Sequence, residues 1–269
     1  MSSERRLARS RKARAGTDLV CEHVFRPLAH VVVLALLPLR VPPPAVVVAS
    51  GAAGIAGAVA IARGNLVAAA LLIQLKTILD NADGQLARLS GRVTAFGRYL
   101  DSEMDLVVDA ALFAGVGAYT GSWAAALVGF LALTTILNVN FNVERLYRQE
   151  HGADASAMPE AEGGPTALLR RLYAIAYAPQ DRLVERFVER RLRDAPAEAR
   201  LAYHDRFTVA VLANLGMSPQ LLVLGVCLVL GHPLWYVWIL IAELGVVAAL
   251  ALRRELRLRA FAHRPEEAL

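Results

Sequence analysis

Three stretches of this chain, residues 44–62, 122–143 and 207–231, contain no Asp, Glu, Lys or Arg. As a helix, each is long enough to cross about 30 Å of hydrocarbon at about 1.5 Å per residue. Residues 65–87 and 97–119 have spanning length but carry charges, and 234–252 is interrupted only by Glu243. Six transmembrane helices are therefore predicted. The composition agrees, with 56% hydrophobic residues against about 45–50% in ordinary globular domains.

Once the six helices are drawn, 27 of the 29 Lys and Arg residues fall on one side of the bilayer, leaving only Arg63 and Lys76. Such a bias assigns that side to the cytoplasm, with both termini there, in a multi-pass protein of the cell (inner) membrane. The opposite turns are short, near Arg63, Gly121 and His232, and Trp235, Tyr236 and Trp238 stand where an aromatic belt is expected. The net charge of +5 thus has a topological cause, and no nucleic-acid partner is implied. Cys21 and Cys227 are too few and too dispersed for a disulfide framework or a cysteine metal site.

Residues 1–16 form an Arg-rich arm, read as disordered or lying on anionic headgroups and not as a signal peptide. Residues 17–43 hold an apolar segment, 27–39, too short to span and bounded by Pro38 and the Pro42–Pro44 run. It is expected to be an amphipathic helix at the interface. If it crossed instead, the arginine arm would lie outside. The transmembrane domain then occupies 44–255, with a cytoplasmic excursion at 145–206 and a tail at 256–269. Within the excursion, 152–166 reads as a flexible loop. Leu168, Leu169, Leu172, Ile175 and Ala176, then Leu183, Val184, Phe187 and Val188, recur at the spacing of amphipathic helices on the membrane surface.

The chemistry concentrates where the second and third crossings meet. Asp80 and Asp83 are three residues apart and Asp101 and Asp105 four, so each pair projects from one helix face. One acidic side chain at mid-membrane costs at least about 2.5–3.5 kcal/mol, and four call for compensation on the order of 10 kcal/mol. The nearby bases Lys76 and Arg88 are too few to supply it. Divalent metal is the natural partner, and all-oxygen ligation favours Mg²⁺ or Mn²⁺ over zinc. A polar seam between helices, or an ion or proton pathway, is the competing reading. Gly84, Ala87 and Gly97 leave room for a close backbone approach to a nucleotide, although Gly84 and Ala87 taken alone also suit helix packing. Arg88, two turns past Asp80, suits a forked grip on phosphate.

Read as D-x2-D-G-x2-A-R-x8-G-x3-D-x3-D, residues 80–105 resemble the signature of the CDP-alcohol phosphotransferases, with all eight fixed positions present. The broader resemblance covers about residues 40–255; Ala45 departs from it, since many relatives have Asn there. It implies an active site between helices at the cytoplasmic side, with Asp80, Asp83, Asp101 and Asp105 binding two metal ions. Asp105 would also be the general base. Gly84, Ala87, Arg88 and Gly97 would surround the CDP group. It further implies phospholipid biosynthesis, a CDP-linked donor, an alcohol acceptor and a homodimer.

The donor is either CDP-diacylglycerol or CDP linked to a small polar alcohol. Acceptor candidates are Lys76, Arg92, Asp109, Arg145, Arg148 and Arg206, though Lys76 alternatively pairs with a carboxylate. Asn138, Asn140 and Asn142 are expected to hydrogen-bond between helices, and Glu243 has no partner legible in the sequence. An ion-coupled transporter and an inactive relative are the readings from other classes.

Overall fold

The computed structural model describes residues 15–152 and 164–262, all of it helix and connecting turns without a strand among them. The arginine arm up to residue 14, the loop expected around 152–166 from residue 153 to 163, and the end of the tail lie outside the described residues. A π-helical turn, Cys21–Phe25, leads into α1, Arg26–Leu36. Then follow α2 (Pro43–Ala62), α3 (Leu66–Ser90), α4 (Ala95–Thr120) and α5 (Trp123–Glu150). The excursion holds α6 (Pro165–Ala176), α7 (Ala178–Leu192) and α8 (Ala197–Tyr203). The chain ends with α9 (Arg206–Ala213), α10 (Met217–Val229) and α11 (Pro233–Ala262).

Among the described residues, Pro43–Ala62, Trp123–Glu150, the run Ala197–Val229 and Pro233–Phe261 are the four segments long and apolar enough to cross a membrane. The helices α3 and α4, of 25 and 26 residues, match them in length but carry the acids. They pack extensively on α2, which is rich in small residues. A Cβ on Gly54 would lie 2.4 Å from Val108 Cγ1, and one on Gly115 only 2.5 Å from the Ala58 carbonyl oxygen. The backbones of α2 and α4 meet closely because nothing stands between them.

The connection between α3 and α4 is four residues. Gly91 takes the left-handed conformation (φ 67°) that ends α3, and the Arg92 amide donates back to the Ala87 carbonyl at 2.9 Å. Thr94 then caps α4 by accepting from the Gly97 amide at 3.1 Å. We expect Thr94→Ala to cost about 1 kcal/mol and to lower the thermal unfolding midpoint in detergent. An unchanged midpoint would mean that the cap contributes nothing.

Helix α1 turns Arg26, Ala29, His30 and Val33 inward, packing against Ala82 and Leu86 of α3, while Leu28 and Val31 remain exposed. Two features depart from the sequence reading. The end of the arm is tied down, with the Ala15 amide donating to Glu144 Oε1 at 3.4 Å, and the chain just after it is held by Asn214, which accepts from the Leu19 amide and donates to the Thr17 carbonyl. Tyr236 is buried and stacks on Phe113 at 5.8 Å, whereas Trp235 and Trp238 are exposed. At 3.6 residues per turn Trp235 and Trp238 share a face and Tyr236 does not, so it leaves the expected belt. The helices α6 and α7 also dock on α4 and α5, leaving Leu168, Leu172, Leu183 and Phe187 exposed.

Candidate active site

The tight Gly91–Thr94 turn folds the last turns of α3 back along the first turns of α4, so the two acidic faces meet. Asp80, Asp101 and Asp105 each offer a carboxylate oxygen within 4.8 Å of the others. Asp83 stands on the next turn of α3, 6% exposed, with Oδ2 buried and lacking a hydrogen-bond partner. It lines a small cleft with Asp101, Ala87, Gly97, Arg92 and Pro43. The cleft thus joins both halves of the motif to the start of α2.

Arg88 reaches back toward Asp83's turn. A Cβ on Gly84 would sit 3.2 Å from one terminal nitrogen of Arg88, so glycine makes room for the guanidinium beside the cleft. Lys76 is 2% exposed, and its ammonium donates to Asp80 Oδ1 at 2.8 Å and to Asp105 Oδ1 at 2.5 Å. The carboxylate-pairing alternative for Lys76 is the one realised. Asp109 lies one turn beyond Asp105 on α4, buried at 4% exposure.

The other acceptor candidates disperse. Arg92 lines the cleft. Arg145 contacts Asn142 and Glu185, Arg148 pairs with Glu144 at 2.8 Å, and Arg206 opens α9. Asn138 and Asn142 bond not to another apolar helix but to Asp181 of α7, at 3.1 and 2.8 Å. Glu243 accepts from Gln220 at 2.5 Å.

Two contributors escaped the sequence reading. Cys21 donates its thiol to Asn81 Oδ1 at 3.1 Å, and Asn81 donates on to Ser218, fixing the residue between the two α3 acids. Tyr177, at the α6–α7 joint, donates to the Ser102 carbonyl at 3.1 Å. Burial pushes the Tyr173 hydroxyl up to about 12, with Asp181 adding to it. Burial, then Asp105, pushes that of Tyr177 up as well. Both phenols therefore stay protonated, and that of Tyr177 is the one that donates at the site's edge. Their sequence neighbourhood is an ordinary amphipathic pattern that does not point toward α4.

The donor set is entirely carboxylate oxygen, and Asp83 Oδ2 beside it is buried without a hydrogen-bond partner. Both features fit a hard divalent ion.

A family profile described as CDP-alcohol phosphatidyltransferase matches residues 40–180. The chain is 37% identical over 84 residues to an Aquifex aeolicus protein named as uncharacterized, covering 30% of this chain and 43% of that one. It is 38% identical over 80 residues to the archaetidylinositol phosphate synthase of Methanothermobacter thermautotrophicus, covering 30% and 40%. It is 35% identical over 89 residues to a bifunctional IPC transferase and DIPP synthase of Aquifex aeolicus, covering 33% and 21%. The chain thus spans less than half the length of these relatives.

Proposed function

The chain belongs to the CDP-alcohol phosphatidyltransferase family, and from that membership we propose that it transfers a phosphatidyl group from a CDP-linked donor to an alcohol, releasing CMP, in phospholipid synthesis. The observation that carries this reading is the convergence of Asp80, Asp101 and Asp105 within 4.8 Å, beside a cleft lined by Asp83, Ala87 and Gly97.

Asp80, Asp83, Asp101 and Asp105 hold two Mg²⁺ or Mn²⁺ ions. When bound, such ions polarise the phosphoryl oxygens and offset the charge that develops in transfer. Gly84, Ala87 and Gly97 admit the CDP group, and Arg88 grips a phosphate with its fork. Asp105 accepts the proton of the acceptor hydroxyl as its oxygen bonds to the donor's β-phosphorus. The bond from that phosphorus to the CMP oxygen breaks, and CMP leaves with the electron pair.

In this reading α3 and α4 cross the bilayer beside the four apolar segments, making six spans. Their acids face each other and α2 instead of lipid. Helix α1 lies at the interface, with Leu28 and Val31 toward the acyl chains. The arginine bias sets the site at the cytoplasmic face, and the family resemblance adds a homodimer.

The test is CMP release from CDP-diacylglycerol by protein purified in detergent with lipid. Since relatives are named for an inositol phosphate product, inositol phosphate heads the acceptor panel, beside glycerol phosphate and serine. We expect release to require Mn²⁺ or Mg²⁺, to vanish with a chelator and to rise with one acceptor. Release indifferent to chelation would sink the metal assignment, and no release with any donor or acceptor would sink the reaction.

A further inference from the structure

Lys76 is the only lysine among the described residues. The chain's sole other lysine is Lys12, and every remaining cationic position is arginine. The exception sits at the centre of the acidic cluster. An ammonium is a compact charge on a flexible stem, able to change partners by rotating a few bonds, whereas a guanidinium is a planar fork held by several bonds at once.

Its position conflicts with the expected ions. The two oxygens it binds, Asp80 Oδ1 and Asp105 Oδ1, belong to two of the three acids that converge for a metal. A divalent ion among those acids repels an ammonium at hydrogen-bond distance from them. A second partner is nearby. Asp109 lies one turn past Asp105 on the same face of α4. It is buried at 4% exposure. Room for the stem comes from Gly54, where a Cβ would lie 3.3 Å from Lys76 Cγ.

We propose that Lys76 is a built-in counter-cation that holds Asp80 and Asp105 together until divalent ions arrive, and that metal entry drives its ammonium to Asp109. This rests on the metal-cage reading above. Lys76 is on this view a positioning residue that competes with the metal and contacts no substrate.

Mn²⁺ titrations followed by electron paramagnetic resonance on the full chain in detergent test it. Lys76→Met, which keeps the apolar stem, should bind Mn²⁺ about tenfold or more tightly than the wild type. A merely structural role predicts weaker binding. Asp109→Asn should bind more weakly, and that loss should largely disappear in the Lys76→Met background, because no ammonium is then left to place. Equal or weaker Mn²⁺ binding by Lys76→Met overturns the proposal, as does an Asp109→Asn loss of the same size in both backgrounds. Should Lys76→Met fail to fold without metal, purification in Mn²⁺ followed by timed chelation gives the same comparison from release rates, with slower release expected. A wild-type protein that binds no Mn²⁺ overturns the cage reading itself.

Discussion

Asp105→Asn yields a folded protein that still gains thermal stability from CDP and metal but releases CMP at least about 10³-fold more slowly than the wild type. The amide keeps the shape of the carboxylate, so the contact between α3 and α4 is spared steric change. On the proposed mechanism the substitution removes the proton acceptor for the attacking hydroxyl, together with one negative charge of the metal cage. General-base loss alone accounts for about 10²–10⁴-fold, and the weakened cage adds to it. Single-turnover CMP release separates chemistry from binding. A variant turning over at the wild-type rate would remove Asp105 from the mechanism.

Gly115 offers a test of comparable size with no chemistry in it. The Cβ of an alanine would meet the Ala58 carbonyl oxygen at 2.5 Å, and backbone inside a helix cannot swing aside as a side chain does. Gly115→Ala is expected to cost about 1–3 kcal/mol by overpacking, lowering the unfolding midpoint. Gly115→Leu is expected to push α4 off α2 and leave aggregated protein on size exclusion. Because α4 carries Asp101 and Asp105, Gly115→Ala should also weaken Mn²⁺ binding, although residue 115 lies far along the helix from the acids. Wild-type stability in Gly115→Leu would show that the close approach of α2 and α4 is slack.

The motif was legible because its information is local. Spacings of three and four residues place acids on one helix face whatever surrounds them, and the Gly91–Thr94 turn leaves little choice of partner. The long helices were legible from the absence of charge. Tyr236 looked like a belt residue because its neighbours are tryptophans, yet its inward direction depends on Phe113 of another helix. The Asp181 contacts with Asn138 and Asn142 join positions about forty apart, and Cys21 with Asn81 sixty apart. No periodicity encodes such pairings. Lys76 was half legible, since a partner was expected but not that two helices would share it.

The four-residue link between α3 and α4 also bears on how the chain is made. On the six-span proposal, a helix carrying the two acids of α3 or the four of α4 is a poor candidate to enter a bilayer alone. Joined so tightly, α3 and α4 emerge from the ribosome one directly after the other, and the acids of each find their neighbours, with Lys76 between them, within a short stretch of synthesis. Contacts so near in sequence form early because little loop entropy opposes them. The hairpin can therefore present itself to the insertion machinery as one unit with its polar groups already turned inward. On this account, lengthening the link with a flexible insert harms biogenesis first, seen as less membrane-integrated protein, before it harms the site in the molecules that do assemble.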